Sequence, residues 1–175
     1  SSVLVDSSSG RRTRVDAVFN VNKKDFYQVA EFARKTVKSM SYYFPAWPYP
    51  YQHETVFNAV KTRGGMEYPM MVSDGNFPDR AFTIDVTLHE VFHTMFPFYT
   101  GLNETKYGWM DEGLAELSNW ILMPQIDTSL QSVLVPMDVK SYSQFAGSES
   151  DVPIMTLSGQ LDERAYQFNS YTKPA

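Results

Sequence analysis

Cysteine is absent from all 175 residues, so no disulfide staples this chain and no thiolate can hold a metal. Long apolar runs are missing as well; none approaches the roughly 18 residues that a bilayer-spanning helix needs. Basic residues are in deficit, with 15 Lys and Arg against 20 Asp and Glu and a formal charge of -5. A nucleic-acid partner, which selects a basic surface, is therefore not expected. The small cluster Arg11, Arg12 and Arg14 reads as the solvated start of a strand. Ser1 to Asp6 lacks the charged-then-apolar pattern of a signal peptide. Histidine is scarce, with three in the chain. What is present suits a folded core: 43% hydrophobic and 15% aromatic residues, in a chain about one domain long.

Residues 1–13 read as an irregular lead-in from an upstream domain. Alternation of Val15, Ala17, Phe19 and Val21 then predicts a strand over 14–21. Apolar positions at helical spacing (Phe26, Val29, Ala30, Ala33, Val37, Met40) predict a helix over 23–43. The prolines at 45, 48 and 50 forbid a helix in the aromatic stretch that follows, which reads as a packed surface loop. A strand is expected over 53–60, a turn at Gly64-Gly65, an extended edge segment over 66–72 containing Pro69, and a polar loop over 73–76. Helices are expected over 83–96, apolar on most faces and hence buried, and over 110–122, with a loop at 97–107 between them. Residues 123–160 read as short helix and loop, and Tyr166 to Ala175 as the start of another helix. Strands first and helices after predict an α+β fold, with a site between two layers.

Two of the three histidines fall in His89-Glu90-Val91-Phe92-His93, and 18 residues separate His93 from Glu112. On a helix, positions four apart share a face, so His89 and His93 can both bind one zinc ion. Glu112 can supply a third ligand and leave the fourth position open, the arrangement of catalytic rather than structural zinc. Zinc lowers the pKa of a bound water to about 7, and Glu90 is placed to take its proton as general base. The developing oxyanion wants a further donor. A tyrosine hydroxyl would serve, but composition cannot choose among 11 tyrosines. Glu116, one turn beyond Glu112, could accept the second ring N–H of a ligand histidine or be a solvated surface charge. Asp111 reads as a helix cap or first-turn charge.

These motifs resemble the gluzincin metallopeptidases, specifically the M1 aminopeptidase family. Gly64-Gly65-Met66-Glu67-Tyr68 looks like the family's Gly-x-Met-Glu-Asn exopeptidase motif, with Glu67 standing 22 residues before His89. Tyr171-Thr172-Lys173-Pro174 resembles the family's Tyr-x-Lys-Gly segment, and Tyr166 matches a tyrosine that some members keep near the site. The likeness runs over residues 14–175. It implies zinc ligands His89, His93 and Glu112, the base Glu90, and Tyr171 as oxyanion stabiliser. It implies that Glu67 binds the substrate's free α-amine while the backbone of Gly64, Gly65 and Met66 pairs with the peptide as an added strand. The fold it implies is a thermolysin-like zincin catalytic domain: a mixed sheet followed by helices, with the HExxH motif on an active-site helix.

The expected function is a zinc-dependent aminopeptidase with one zinc ion, acting on peptides with a free N-terminus. The chain is expected to be a truncated piece of a longer protein whose upstream and downstream domains are its partners. No compartment is read from it. Three positions depart from the family pattern: Tyr68 for Asn, Phe92 for a small residue, and Thr94-Met95 for Gln-Trp. The first two motivate the alternative reading, a non-catalytic or specialised peptide-binding domain that retains the zincin fold. Retention of every ligand, the base and Tyr171 favours the enzyme.

Overall fold

The computed structural model describes residues 1–59, 64–130 and 134–175. Its sheet has five strands: β1 (Ser2–Asp6), β2 (Arg11–Val18), β3 (His53–Asn58), β4 (Gly65–Tyr68) and β5 (Met71–Asp74), in the spatial order β1-β2-β3-β5-β4. The sheet is mixed. The middle pairs β2–β3 and β3–β5 are parallel, whereas β1–β2 and β5–β4 are antiparallel hairpins. Helices α1 (Val29–Tyr42), α2 (Arg80–His93), α3 (Gly108–Ile126), α4 (Leu134–Phe145) and α5 (Glu163–Tyr166) complete the order. The architecture is α+β. Among the described residues no helix is long and apolar enough to cross a membrane.

Residues 2–6 and 11–13, read from the sequence as an irregular lead-in, are strand. Val3, Val5, Thr13 and Val15 are buried in alternation across the hairpin, and the turn is closed by Asp6, whose carboxylate accepts from the Ser8 and Ser9 hydroxyls at 2.6 Å each. Those hydrogen bonds hold the Asp6 carboxyl down at about 2. Gly10, at φ 73°, supplies the left-handed residue that a side chain would strain. The serine-rich turn and arginine-rich outer face hid this hairpin from hydrophobic periodicity.

Helix α1 crosses over between the parallel β2 and β3. Its buried stripe of Val29, Ala33, Val37 and Met40 is the one its spacing predicted, although the helix starts at 29 and a separate 3₁₀ turn holds 24–26. The predicted strand over 53–60 runs to 58; residue 60 lies outside the described residues. The extended segment over 66–72 is two strands joined by a tight turn at Pro69-Met70, and residues 73 and 74, read as loop, belong to β5. Ser73 and Asp74 are buried, so their polarity misled. β4 is the edge of the sheet.

Helix α2 begins at Arg80, where Asp79 caps it by accepting from the Phe82 N–H at 2.8 Å. It gives way after His93 to a π-helical turn over Thr94–Tyr99 that contains Pro97, a residue that cannot continue an α-helix ladder. Helix α3 has no side-chain cap of its own; the Ser158 hydroxyl accepts from the Gly108 N–H at 2.9 Å. Ile84, Leu88, Val91, Phe92 and Met95 join Val15, Val56, Val72, Ala115 and Leu122 in one core. The sheet, α1, α2 and α3 all contribute to it.

Candidate metal centre

Helix α2 presents His89 and His93 to α3, and Glu112 from α3 meets both. The Glu112 Oε2 atom lies 3.2 Å from His89 Nε2 and 3.3 Å from His93 Nε2. The donor atoms of the three residues all stand within 4.8 Å of one another. Ligand atoms about 2.0–2.2 Å from a tetrahedral zinc sit roughly 3.3–3.5 Å apart, close to both nitrogen–oxygen separations here. Burial alone would raise the Glu112 carboxyl, but hydrogen bonds from both imidazoles outweigh it and hold the group far below the ordinary carboxylate range. The three donor atoms converge, and a cation bound there would take the place of the ring protons that now reach Glu112.

The far nitrogens of both rings are also engaged. His93 Nδ1 is 2.7 Å from Asp111 Oδ1 and 3.0 Å from the Phe96 carbonyl oxygen; His89 Nδ1 is 3.5 Å from Glu116 Oε2. Such contacts fix ring orientation and raise ligand basicity. Asp111, read from the sequence as a helix cap or first-turn charge, lies in the first turn of α3; it is also nearly fully buried, against His93. One residue shifts along α3 decided this: Asp111 and Glu112 are adjacent, so one reaches the Nδ1 side of His93 and the other its Nε2 side. Only the crossing of α2 over α3 reveals it.

Glu90 is buried, and its Oε2 atom has no hydrogen-bond partner. Burial pushes the carboxyl up to about 8 against the pull of His89 and His93. The backbone of β4 lies directly upon it: a Cβ at Gly65 would fall 2.3 Å from Glu90 Oε1. Gly64 precedes the strand, its carbonyl accepting from the Gly75 N–H at 2.9 Å. Strand alternation turns Met66 and Tyr68 outward, both more than two-fifths exposed, and Glu67 inward. Glu67 comes within 4.8 Å of donor atoms on both His93 and Asp111. Burial raises its carboxyl, while His93 pulls the other way.

The C-terminal segment completes the cluster. Tyr171 stacks on His89, ring centroids 6.0 Å apart and planes 6° from parallel. Burial, then the Glu112 charge, places its pKa well above a free phenol. Tyr166 stands edge-on to Tyr171 at 6.1 Å; burial and the surrounding carboxylates raise its pKa to about 12. Phe92 turns away from the ligands, stacked between Phe96 (5.2 Å) and Phe44 (6.1 Å). Its bulk fills core, not cleft. Tyr68 likewise leaves the cluster, on the outward face of β4.

No family model and no curated protein matches the chain. Among solved structures it is similar to an alanine variant of an M1 zinc metallopeptidase from Deinococcus radiodurans, with a TM-score of 0.68 and 17% identity, covering 100% of this chain and 37% of that one. It is also similar to a two-domain M1 zinc metallopeptidase bound to L-arginine, with a TM-score of 0.62 and 15% identity, covering 99% of this chain and again 37% of that one. At such identities the likeness shows a shared fold, and this chain spans little more than a third of either neighbour.

Proposed function

We propose that the chain carries the catalytic centre of a zinc-dependent aminopeptidase, with thermolysin-like zincin topology. The observation that carries this reading is the convergence of His89 Nε2, His93 Nε2 and Glu112 Oε2 at 3.2 and 3.3 Å, with Glu90 beside them and β4 forming a sheet edge over Glu90. Zinc held by those three residues supplies an acidified water and a Lewis acid for the scissile carbonyl. Glu90 takes the proton of the attacking water and returns it to the amine as the carbon–nitrogen bond breaks. The Tyr171 hydroxyl, kept protonated by its surroundings, donates to the oxyanion that develops on the carbonyl.

Specificity follows from β4. Its open edge accepts an extended peptide by strand addition, and Glu67 ends that path with a carboxylate for the α-ammonium group. A free α-amine is then required, and residues N-terminal to the first have no room. The L-arginine bound in one neighbour, an amino acid with a free α-amine, supports the reading. Upstream and downstream domains would cover the remaining rim.

The test is elemental analysis for zinc, followed by paired peptides with free and acetylated N-termini. One zinc per chain, lost in His93→Ala, together with cleavage of the free peptide alone, is expected. Glu67→Ala should raise KM for the free peptide by roughly 10–100-fold, the strength of a partly buried charged hydrogen bond. Equal cleavage of acetylated peptides would turn the reading to an endopeptidase. Zinc without turnover on any peptide would turn it to the specialised peptide-binding domain.

A further inference from the structure

Alanine forms helix better than glycine at an interior position, yet α3 carries glycine at 113, directly after Glu112. The reason lies across the helix surface. A Cβ at 113 would fall 2.4 Å from Pro174 Cγ, 2.7 Å from Pro174 Cβ and 3.1 Å from the Ser170 carbonyl oxygen. A proline ring and a backbone carbonyl cannot swing aside as a long side chain can. Both obstacles flank Tyr171 in the chain. The same segment is tied down from its other side: Lys173 Nζ binds Asp151 Oδ1 at 2.5 Å and the Val152 carbonyl at 2.7 Å, and Asn169 Nδ2 donates to the Ser150 carbonyl at 2.9 Å. Those bonds fix where the segment runs. The distance at which it rests on α3 is left to Gly113.

We propose that Gly113 is a positioning residue for Tyr171. By carrying no side chain it lets Ser170 to Pro174 dock closely on α3, which sets the Tyr171 ring parallel to His89. Gly113 touches no reacting atom. The inference deepens the aminopeptidase reading and rests on Tyr171 serving as the oxyanion donor.

The experiment uses the full chain with 3-fluorotyrosine at position 171, read by fluorine NMR, in the parent, Gly113→Ala and Gly113→Ala/Pro174→Gly. The resonance should move in Gly113→Ala, as the ring leaves His89, and return toward the parent position when Pro174→Gly reopens the space. Zinc should stay at one per chain in all three. Turnover of a free peptide should fall in Gly113→Ala by roughly 10–100-fold in kcat, somewhat less than loss of an oxyanion donor costs, with KM nearly unchanged and most of the rate regained in the double variant. Gly113→Ala/Tyr171→Phe should be no slower than Tyr171→Phe. An unmoved resonance in Gly113→Ala overturns the proposal, as does a double variant as displaced as the single. Failure of both variants to fold overturns it too, because removing the Pro174 ring should relieve the clash. If Tyr171→Phe keeps full activity, the donor reading fails, while the resonance comparison still decides how the segment docks.

Discussion

Glu112 and Glu54 are both buried beside α2, yet one is held ionised and the other neutral. Glu112 faces two imidazoles, and their hydrogen bonds overcome its burial. On the sheet side, Glu54 meets the Tyr49 hydroxyl at 2.5 Å, which in turn lies 2.8 Å from Thr94 Oγ1, and its other oxygen has no partner. Burial pushes Glu54 up to about 8, with the Tyr49 hydrogen bond opposing. Asp74 behaves alike: it accepts from Thr87 at 2.7 Å and burial lifts it to about 7. Two buried glutamates thus take opposite charge states, because hydrogen bonds from imidazoles outweigh burial at Glu112 and a hydroxyl does not at Glu54. On the ionised side a cation would displace the ring protons that reach Glu112; the neutral side ties β5 to α2 through Thr87.

Removing the charge from the ionised side should have the largest effect. Glu112→Gln is expected to cost on the order of 10³-fold or more in zinc affinity, since one of three ligands becomes a weak neutral donor. Competition with a chromophoric chelator measures it, and an affinity within tenfold of the parent would mean that Glu112 is not a ligand. Asp111→Asn keeps the three donors but weakens support for His93, so zinc affinity should drop by about 10–100-fold. Glu116→Gln, on the longer 3.5 Å contact, should cost less.

The neutral side should answer to pH instead. The folded-state pKa of Glu54, about 8 against an ordinary 4.5, means that the native state holds a proton the unfolded chain gives up. Its stability contribution is full below about pH 4.5 and is lost as pH rises through 8. The parent should therefore melt lower at pH 8.5 than at pH 5, whereas Glu54→Gln, neutral throughout, should lose less over that interval. For a chain of this size the difference reads as roughly 2–4 °C per kcal/mol. Parallel melting curves for the two proteins across that range would remove the neutral-carboxyl reading.

The smallest change lies in the turn between β4 and β5. Met70 holds φ 63° in the turn between β4 and β5, after Pro69, the arrangement of a type II turn that prefers glycine at the second central position. Met70→Gly should stabilise slightly, because the roughly 1–2 kcal/mol cost of a left-handed side-chain residue exceeds the roughly 0.5–1 kcal/mol that glycine's extra freedom costs, seen as a small rise in denaturation midpoint with zinc binding unchanged.

The sequence by itself determined the helical stripe of α1, the motif helix, and the trio His89, His93 and Glu112 whose donor atoms the structure brings together. Those signals are local: a fixed four-residue spacing puts His89 and His93 on one face whatever surrounds them. Burial of Ser73, Asp74, Thr13 and Glu54 was not legible, because polar residues read as loop or surface until a partner is known. Asp111 shows the same limit at the site, its role depending on a histidine from another helix. Phe92 is the converse. As a letter it threatened the cleft, and only the stacking of Phe44 and Phe96 around it decided that the ring belongs to the core. Helical and strand periods are written along the chain, while charge state, second contacts and the docking of Tyr171 arise between segments distant in it.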